Sequence, residues 1–228
     1  MRRYPFLTVA AALVLPLASQ DARATPIEIT AGASGALLSE VPSATVLTFD
    51  GLPVGRLPFY QFDGGTLSGS GYIENTSVEA KYAEPAGDRT NYLTISYPSA
   101  AGEVQLVFSN PENYFGLYWG SMDRYNSITF FENNTPIATF SGTAIAGLLG
   151  LAATGDQQSP SSNRYINFHL GDAFYDKVVL STTDFGLEVD NIGFGDPPVS
   201  APISEPGTIV LFGSSLFGLA LLRRRRAA

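Results

Sequence analysis

Hydrophobic and polar residues alternate along most of residues 25–195, in short runs separated by Gly, Pro, Asn and Asp. Alternation with a period of two places every second side chain on one face, which predicts a β-strand with one buried side. Short strands with frequent turns favour an all-β fold, a two-layer β sandwich or jelly roll. The runs that predict strands are Thr45–Phe49, Asn91–Tyr97, Glu103–Phe108, Tyr114–Trp119, Ser127–Glu132, Pro136–Phe140, Tyr165–Leu170, Lys177–Ser181 and Phe185–Phe194.

Residues 143–154 depart from this alternation. Their apolar residues are spaced as on one face of a helix, which predicts a short helix or a buried loop. Thr143 would cap its start and Gly155 would end it. Residues 155–163 are polar and are expected to form an exposed loop. The apolar positions are Ile145, Leu148, Leu149 and Ala152.

Two Asn-containing pairs predict local departures from regular strands. Asn133-Asn134 separates two runs and indicates the turn of a β-hairpin. At Asp190-Asn191 the apolar alternation slips by one residue, because Val189 is followed by Ile192 rather than by an apolar residue two positions on. Such a slip predicts a β-bulge.

The N-terminus has the pattern of a secretory signal. Arg2 and Arg3 precede the apolar run Phe6–Ala18, and Ala22-Arg23-Ala24 fits an A-x-A cleavage site. As a helix the 13-residue run would reach only about 20 Å, which is short for a bilayer core. We expect residues 1–24 to be a signal peptide helix that engages the Sec translocon and that signal peptidase removes after Ala24. A retained anchor and a twin-arginine route are the alternatives.

The C-terminus combines a spacer, an apolar helix and a basic end. Residues 196–203 are Pro-rich and predict an extended linker. Residues 207–222 are uncharged and predict a single transmembrane helix of about 24 Å. Four arginines would stop transfer and stay in the cytoplasm, namely Arg223, Arg224, Arg225 and Arg226.

Together with the signal peptide, this tail resembles the PEP-CTERM sorting signal, here over residues 204–228. Glu205 and Pro206 match the last two residues of the Pro-Glu-Pro motif, and Ser204 replaces its first proline. The resemblance implies an exported protein of a Gram-negative, exopolysaccharide-producing bacterium. It also implies exosortase as the partner that cuts the tail. The protein would be anchored transiently in the inner membrane before it reaches the cell surface or extracellular matrix. Permanent anchoring by the helix is the alternative.

Composition narrows the classes of function. The chain has no Cys and one His, which excludes disulfides, thiol catalysis and His-cluster metal sites. The net charge of the chain is −8, but the charge is unevenly distributed. Residues 25–203 hold 6 basic and 19 acidic residues, a net charge of −13, and the other basic residues lie at the two ends. A body this acidic is repelled by phosphate backbones, so nucleic-acid binding is not expected.

Two segments of the β domain carry a second resemblance. Residues 115–126 contain Trp-Gly-Ser-x-Asp-x-Tyr-Asn, and residues 185–191 contain Phe, Glu188 and Asp190-Asn191. These segments resemble a group of PEP-CTERM ectodomains, although Gly186 and Leu187 widen the spacing of the second motif. The resemblance implies a lectin-like β sandwich and carries no settled biochemical activity.

The turn after Tyr114–Trp119 contains the candidate ligand-binding residues. Trp119 shares a face with Phe115 and Leu117 and is expected in the core, so the aromatic residue expected at the surface is the neighbouring tyrosine. The turn itself is polar and favours either backbone capping or a sugar site. A calcium ion needs about 6–8 oxygens, more than this turn supplies, and no metal site is predicted. The candidate residues are Tyr118, Ser121, Asp123 and Asn126.

No constellation of residues points to catalysis. His169 lies on the polar face of its strand, and neither G-x-S-x-G nor H-E-x-x-H occurs. We therefore predict a non-catalytic surface or matrix protein without a cofactor, with exopolysaccharide as the ligand. A secreted polysaccharide hydrolase is the alternative, because it needs only two carboxyl groups about 5–9 Å apart.

Overall fold

A computed structural model describes residues 26–95 and 101–196 and contains two antiparallel β-sheets and one short helix. The predicted signal peptide, most of the Pro-rich linker and the whole sorting signal lie outside the described residues. Within the described residues, no helix has the length and apolarity required to cross a membrane. The all-β prediction for the domain is confirmed.

In the described part of the chain, fourteen strands divide between a sheet of eight and a sheet of six. The eight-stranded sheet holds β1 (Glu28–Ala31), β2 (Thr45–Leu47), β3 (Gly55–Arg56), β6 (Gly71–Glu74), β7 (Tyr92–Ile95), β9 (Tyr114–Gly120), β12 (Arg164–His169) and β14 (Leu187–Gly195). The six-stranded sheet holds β4 (Tyr60–Phe62), β5 (Gly65–Gly69), β8 (Gly102–Glu112), β10 (Asn126–Glu132), β11 (Thr135–Ser141) and β13 (Tyr175–Thr182).

Strand order places β9 and β14 in the middle of the larger sheet. The order there is β1-β12-β9-β14-β7-β6-β3, with β2 also paired to β14, and in the smaller sheet it is β11-β10-β13-β8-β5-β4. Since neighbours in space are mostly distant in sequence, each sheet is completed only after most of the chain has been placed.

The two sheets pack on one another through aromatic side chains. Phe115 of β9 meets Phe130 of β10 at 5.7 Å between ring centroids, and Phe108 of β8 meets Phe194 of β14 at 5.1 Å. Tyr175 is fully buried, and its hydroxyl donates a 2.6 Å hydrogen bond to the carbonyl oxygen of Tyr114 in the other sheet. Large aromatic area buried between two layers stabilises the domain without disulfides.

The hydrophobic alternation does not predict the strands in the glycine-rich segment that precedes β7. Residues 55–74 form β3 to β6, none of which the alternation predicts. Glycine is needed there, because a Cβ atom at Gly65 would collide with the carbonyl oxygen of Val107 on β8. β1 was also missed. The remaining predicted strands are present with shifts of a few residues at their described ends, and the predicted end at Tyr97 lies outside the described residues.

The helix α1 spans Gly142–Leu149 and ends earlier than predicted. Ser141 caps its start, since the backbone N–H of Ala144 donates to its hydroxyl oxygen at 3.1 Å, and Gly150 ends it in the left-handed conformation. The prediction of Thr143 and Gly155 as caps is therefore wrong. Ile145 is buried, whereas Leu148 is 65% exposed.

Both predicted irregularities are present. Asn133 and Asn134 have φ of +49° and +64° and form the two-residue turn between β10 and β11. The pairing of β14 with β9 shifts between Asp190 and Gly193, and Asn191 has a φ of +52°. Asn tolerates this left-handed conformation better than most residues, which explains both positions.

Candidate functional site

Four loops at one end of the larger sheet enclose a cleft with a volume of about 310 Å³. We call it the loop cleft; it is formed by residues 80–83, the turn 123–125, residues 154–157 and residues 184–188. Its size lies at the lower end of the roughly 300–1,000 Å³ typical of small-molecule sites. The lining side chains with chemical character are Lys81, Tyr82, Asp123, Tyr125, Asp184, Phe185 and Glu188.

Asp123 is the half-buried carboxylate of the loop cleft. The hydroxyl of Tyr125 lies 2.8 Å from its Oδ2 and 2.8 Å from the carbonyl oxygen of Phe185. Burial raises the pKa of Asp123, while the Tyr125 hydrogen bond and the Arg124 charge oppose that rise. A carboxylate in this setting retains capacity to accept hydrogen bonds from a ligand.

Two glycines leave space around the carboxyl groups. Gly155 and Gly186 have φ of +68° and +82°. A Cβ atom at Gly155 would lie 2.6 Å from Asp123 Oδ2, and one at Gly186 would lie 3.0 Å from Glu188 Oε1. A larger residue at either position would therefore crowd the neighbouring carboxyl group.

Phe185 places an aromatic ring at the loop cleft, which Tyr82 and Tyr125 also line. The ring is half-buried, and the Lys81 ammonium nitrogen lies 4.3 Å from its centroid. This cation–π contact joins residues 80–83 to residues 184–188 across the cleft.

Glu188 lies beneath the loop cleft and is only 1% exposed. The Ser121 hydroxyl donates to its Oε2 at 2.7 Å, and the Ala83 backbone N–H donates to its Oε1 at 3.3 Å. Burial raises the pKa of Glu188 to about 8, with Asp123 adding a smaller rise and the hydrogen bonds opposing it. Glu188 therefore joins three segments of the chain.

Asp190, two residues further along β14, holds the other end of the 75–91 loop. The Thr90 hydroxyl lies 2.7 Å from Asp88 Oδ1 and 3.2 Å from Asp190 Oδ2, and the Asn191 side-chain amide donates to Asp88 Oδ2 at 2.9 Å. Burial raises the pKa of Asp190 to about 8, and the neighbouring Asp88 and Asp50 carboxyls add to that rise. Two buried acids of one strand therefore fasten the same loop.

Asn163 organises the backbone around the loop cleft. Its Oδ1 accepts hydrogen bonds from the backbone N–H groups of Ser121 and Ala86, and its Nδ2 donates to the carbonyl oxygens of Asp156 and Ser159. One buried side chain thus connects three loops with 2.7–3.1 Å bonds. The expectation that all of residues 155–163 are exposed is wrong at this position.

Tyr118 is not the surface aromatic residue that the sequence predicts. It is 2% exposed, and its hydroxyl donates a 2.6 Å bond to the carbonyl oxygen of Ala86. The reason is that the 75–91 loop covers Tyr118, while the segment at Ser39 covers the other end of β9 at Tyr114, so β9 is buried on both faces. Alternation within one strand cannot reveal such a cover. Trp119 lies in the core as predicted.

The other candidates of the turn separate into supporting and accessible residues. Asn126 is buried, accepts from the backbone N–H of Asp123 and donates to Thr182 Oγ1 and to the carbonyl oxygen of Gly186. Ser121 is buried against Glu188. Of the four predicted residues, Asp123 alone lines the loop cleft.

The two sequence segments 115–126 and 185–191 contact one another. Ser121 of the first segment donates to Glu188 of the second, and Asn126 donates to Gly186. Their polar residues thus hold one structure together across a large gap in sequence. The sequence motifs include these segments but assign no role to Tyr125 or Asn163. The turn at residues 123–125, which brings the Tyr125 hydroxyl to Asp123, has no periodic signal.

Other sequence predictions fall outside this site or outside the described residues. The cleavage residues Ala22 and Ala24, the motif Ser204 to Pro206 and the tail Arg223 to Arg226 lie in the undescribed ends. His169 is half-buried, as predicted. In residues 26–95 and 101–196, no three Asp, Glu or His side chains form a group able to hold a metal ion.

Comparisons with known proteins give only distant structural likenesses. No protein-family model matches the chain. No curated protein matches it. Among solved structures, GH31 CBM32-2 bound to GalNAc is 12% identical, with a TM-score of 0.36 over 58% of this chain and 97% of that one. The catalytic domain of a GH87 alpha-1,3-glucanase in complex with tetrasaccharides is 13% identical, with a TM-score of 0.33 over 68% of this chain and 31% of that one. Scores this low do not define a shared fold.

Proposed function

We propose that the protein is an exported surface or matrix protein whose β domain binds polysaccharide in the loop cleft without cleaving it. The observation that carries this proposal is the pairing of an accessible acceptor, Asp123, with the Phe185 ring in one cleft. Sugars bind through hydroxyl groups that donate to carboxylates and through C–H faces that pack on aromatic rings. The Tyr125 hydroxyl completes this polar edge.

Charge favours a neutral polysaccharide. Residues 25–203 carry a net charge of −13, and Asp184 places an exposed carboxylate at the cleft in addition to the half-buried Asp123. An acidic polymer would be repelled by this field. A glycan array probed with the full chain should therefore give signals on neutral glycans and none on uronic-acid polymers. Signals confined to acidic glycans would contradict the proposed ligand class.

Hydrolysis is the second candidate, since Asp123 and Glu188 place two carboxyl groups at one cleft. Binding is preferred because both Glu188 oxygens accept hydrogen bonds from the protein and the side chain is buried. A general acid must instead reach the glycosidic oxygen. Release of reducing ends from a bound neutral polysaccharide, lost on Glu188→Gln, would favour the hydrolase.

Export and sorting form the second part of the proposal and depend on the sequence signals. We infer entry by the Sec translocon, removal of residues 1–24 and exosortase cleavage near Glu205-Pro206. Mass spectrometry of the mature protein from its native host should find a chain that begins at Thr25 and lacks Arg223 to Arg226. A surface form that retains these arginines would favour permanent anchoring.

A further inference from the structure

The 75–91 loop is attached to β14 at two points, and both involve a buried carboxyl group. Glu188 accepts from the Ala83 backbone, and Asp190 lies within hydrogen-bond distance of the Thr90 hydroxyl. Glu188 is 1% exposed and Asp190 is 0% exposed. Residues 80–83 of this loop form one wall of the loop cleft. Whatever weakens these two attachments therefore changes the shape of the cleft.

The groups that face Glu188 are polar or acidic. They are the Ser121 hydroxyl, the Ala83 N–H, the Asp123 carboxyl, and the phenols of Tyr92 and Tyr125. Tyr92 is in turn acted on by the carboxyls of Glu74 and Glu84 and by Tyr82.

Asp190 has a similar environment. It is faced by the carboxyls of Asp88 and Asp50, the Thr90 hydroxyl and the Asn191 N–H. Among the nearby cations, Lys81 lies over Phe185, Arg124 acts on Asp123, and Arg164 acts on Tyr118. Arg89 is exposed on the 75–91 loop next to Asp88.

A buried carboxyl group surrounded in this way favours its protonated form. Removing an ionised carboxylate from water is unfavourable, and the few hydrogen bonds available here offset only part of that free energy. Water can solvate the charge only if the segment that covers it moves away. The 75–91 loop covers both positions, and at Glu188 the Ser121 hydroxyl and the Gly186 backbone also lie against the carboxyl group.

We propose that Glu188 and Asp190 form a pH-sensitive clamp, which holds the 75–91 loop on β14 while both are protonated and releases it when they ionise. Its consequence for ligand binding rests on the proposed function of the loop cleft, because residues 80–83 would move with the loop. Affinity for a neutral glycan would then be highest in mildly acidic surroundings and would fall as the pH rises.

Hydrogen exchange of the full chain tests the clamp without any ligand. The reporters are the amides of Ala83 and Thr90, which donate to Glu188 Oε1 and Asp88 Oδ1. After correction for intrinsic exchange, their protection should fall about ten-fold per pH unit between about pH 6 and 8 for each carboxyl that ionises on opening. Amides of β13 in the other sheet serve as the internal control.

Variants separate the clamp from general loosening at high pH. Asp190→Asn and Glu188→Gln, measured singly, should each flatten part of the pH dependence, because the amide cannot ionise. Glu79→Gln removes an exposed charge from the same loop and should leave the wild-type profile unchanged. Protection that does not vary with pH in the wild type overturns the clamp, and so does an unaltered slope in both variants.

Glycan binding measured across the same pH range separates the two proposals. If loop protection falls with pH while affinity for a neutral glycan stays constant, the clamp stands and the loop cleft is not the binding site. If both fall together in the wild type and both fall less steeply in Asp190→Asn, clamp and cleft are linked as proposed.

Discussion

At the scale of single residues, the loop cleft depends on side chains whose importance lies in the number of segments they join. The carboxamide of Asn163 forms hydrogen bonds to three loops through both its oxygen and its nitrogen. The carboxyl group of Glu188 accepts hydrogen bonds from Ser121 and Ala83. Both are buried polar groups with their hydrogen bonds satisfied, a state that specifies one arrangement of the loops.

Asn163→Ala tests this role. The change leaves the buried backbone N–H of Ser121 without its acceptor and removes three further bonds, so we expect the free energy of unfolding to fall by about 2–4 kcal/mol. Urea unfolding monitored by tryptophan fluorescence measures it. Gln157→Ala, at an exposed position six residues earlier, is the control and should change stability by less than about 0.5 kcal/mol. Equal effects of the two variants would show that Asn163 does not organise the loops.

At the scale of elements, hydrophobic alternation predicts correctly the strands that have one buried face and one exposed face. β8 alternates between buried and exposed positions along its regular part and was predicted, whereas β9 is buried on both faces and its outer side was assigned to solvent. The cover over β9 comes from the 75–91 loop at Tyr118 and from the segment at Ser39 at Tyr114, and neither segment has a periodic signal. The bulge at Asn191 was predictable because the slip in alternation is local.

The helix α1 gives a direct test of which residue caps it. Ser141→Ala removes the acceptor for the Ala144 N–H and should lower the free energy of unfolding by about 1 kcal/mol. Thr143→Ala, the cap that the sequence suggested, changes an exposed residue inside the helix and should have almost no effect. Thermal unfolding of the two variants side by side distinguishes the positions, and a larger loss for Thr143→Ala would contradict the capping geometry.

At the scale of the whole molecule, the acidic β domain buries two of its own carboxyl groups, those of Glu188 and Asp190. Residues 25–203 carry 19 acidic residues, and burial raises the pKa of Glu188 and of Asp190 to about 8. Sequence could supply the charge count and the position of these residues near a bulge. It could not supply their burial, because the segment that covers them lies about 100 residues away in the chain.

Stability should therefore fall as the pH rises. Between the usual carboxyl pKa and about 8, the folded protein binds protons at Glu188 and Asp190 that the unfolded chain has released. The contribution is fully present below the unfolded pKa and is lost as the pH rises towards 8, at up to about 1.4 kcal/mol per pH unit for each group. Urea midpoints at about pH 5.5 and 8 measure it. A midpoint that is higher at pH 8 would contradict the buried, protonated state.

The central claim is that the loop cleft binds a neutral polysaccharide through Asp123. The most direct measurement is the affinity of the full chain for its best glycan-array ligand, determined by calorimetry for the wild type, Asp123→Asn and Asp63→Asn. Asp63 is an exposed carboxylate in the turn between β4 and β5 and is matched in charge. We predict that Asp123→Asn weakens binding about ten-fold, from the loss of a charged hydrogen-bond acceptor, and that Asp63→Asn has no effect. Equal affinity in all three proteins would contradict the claim.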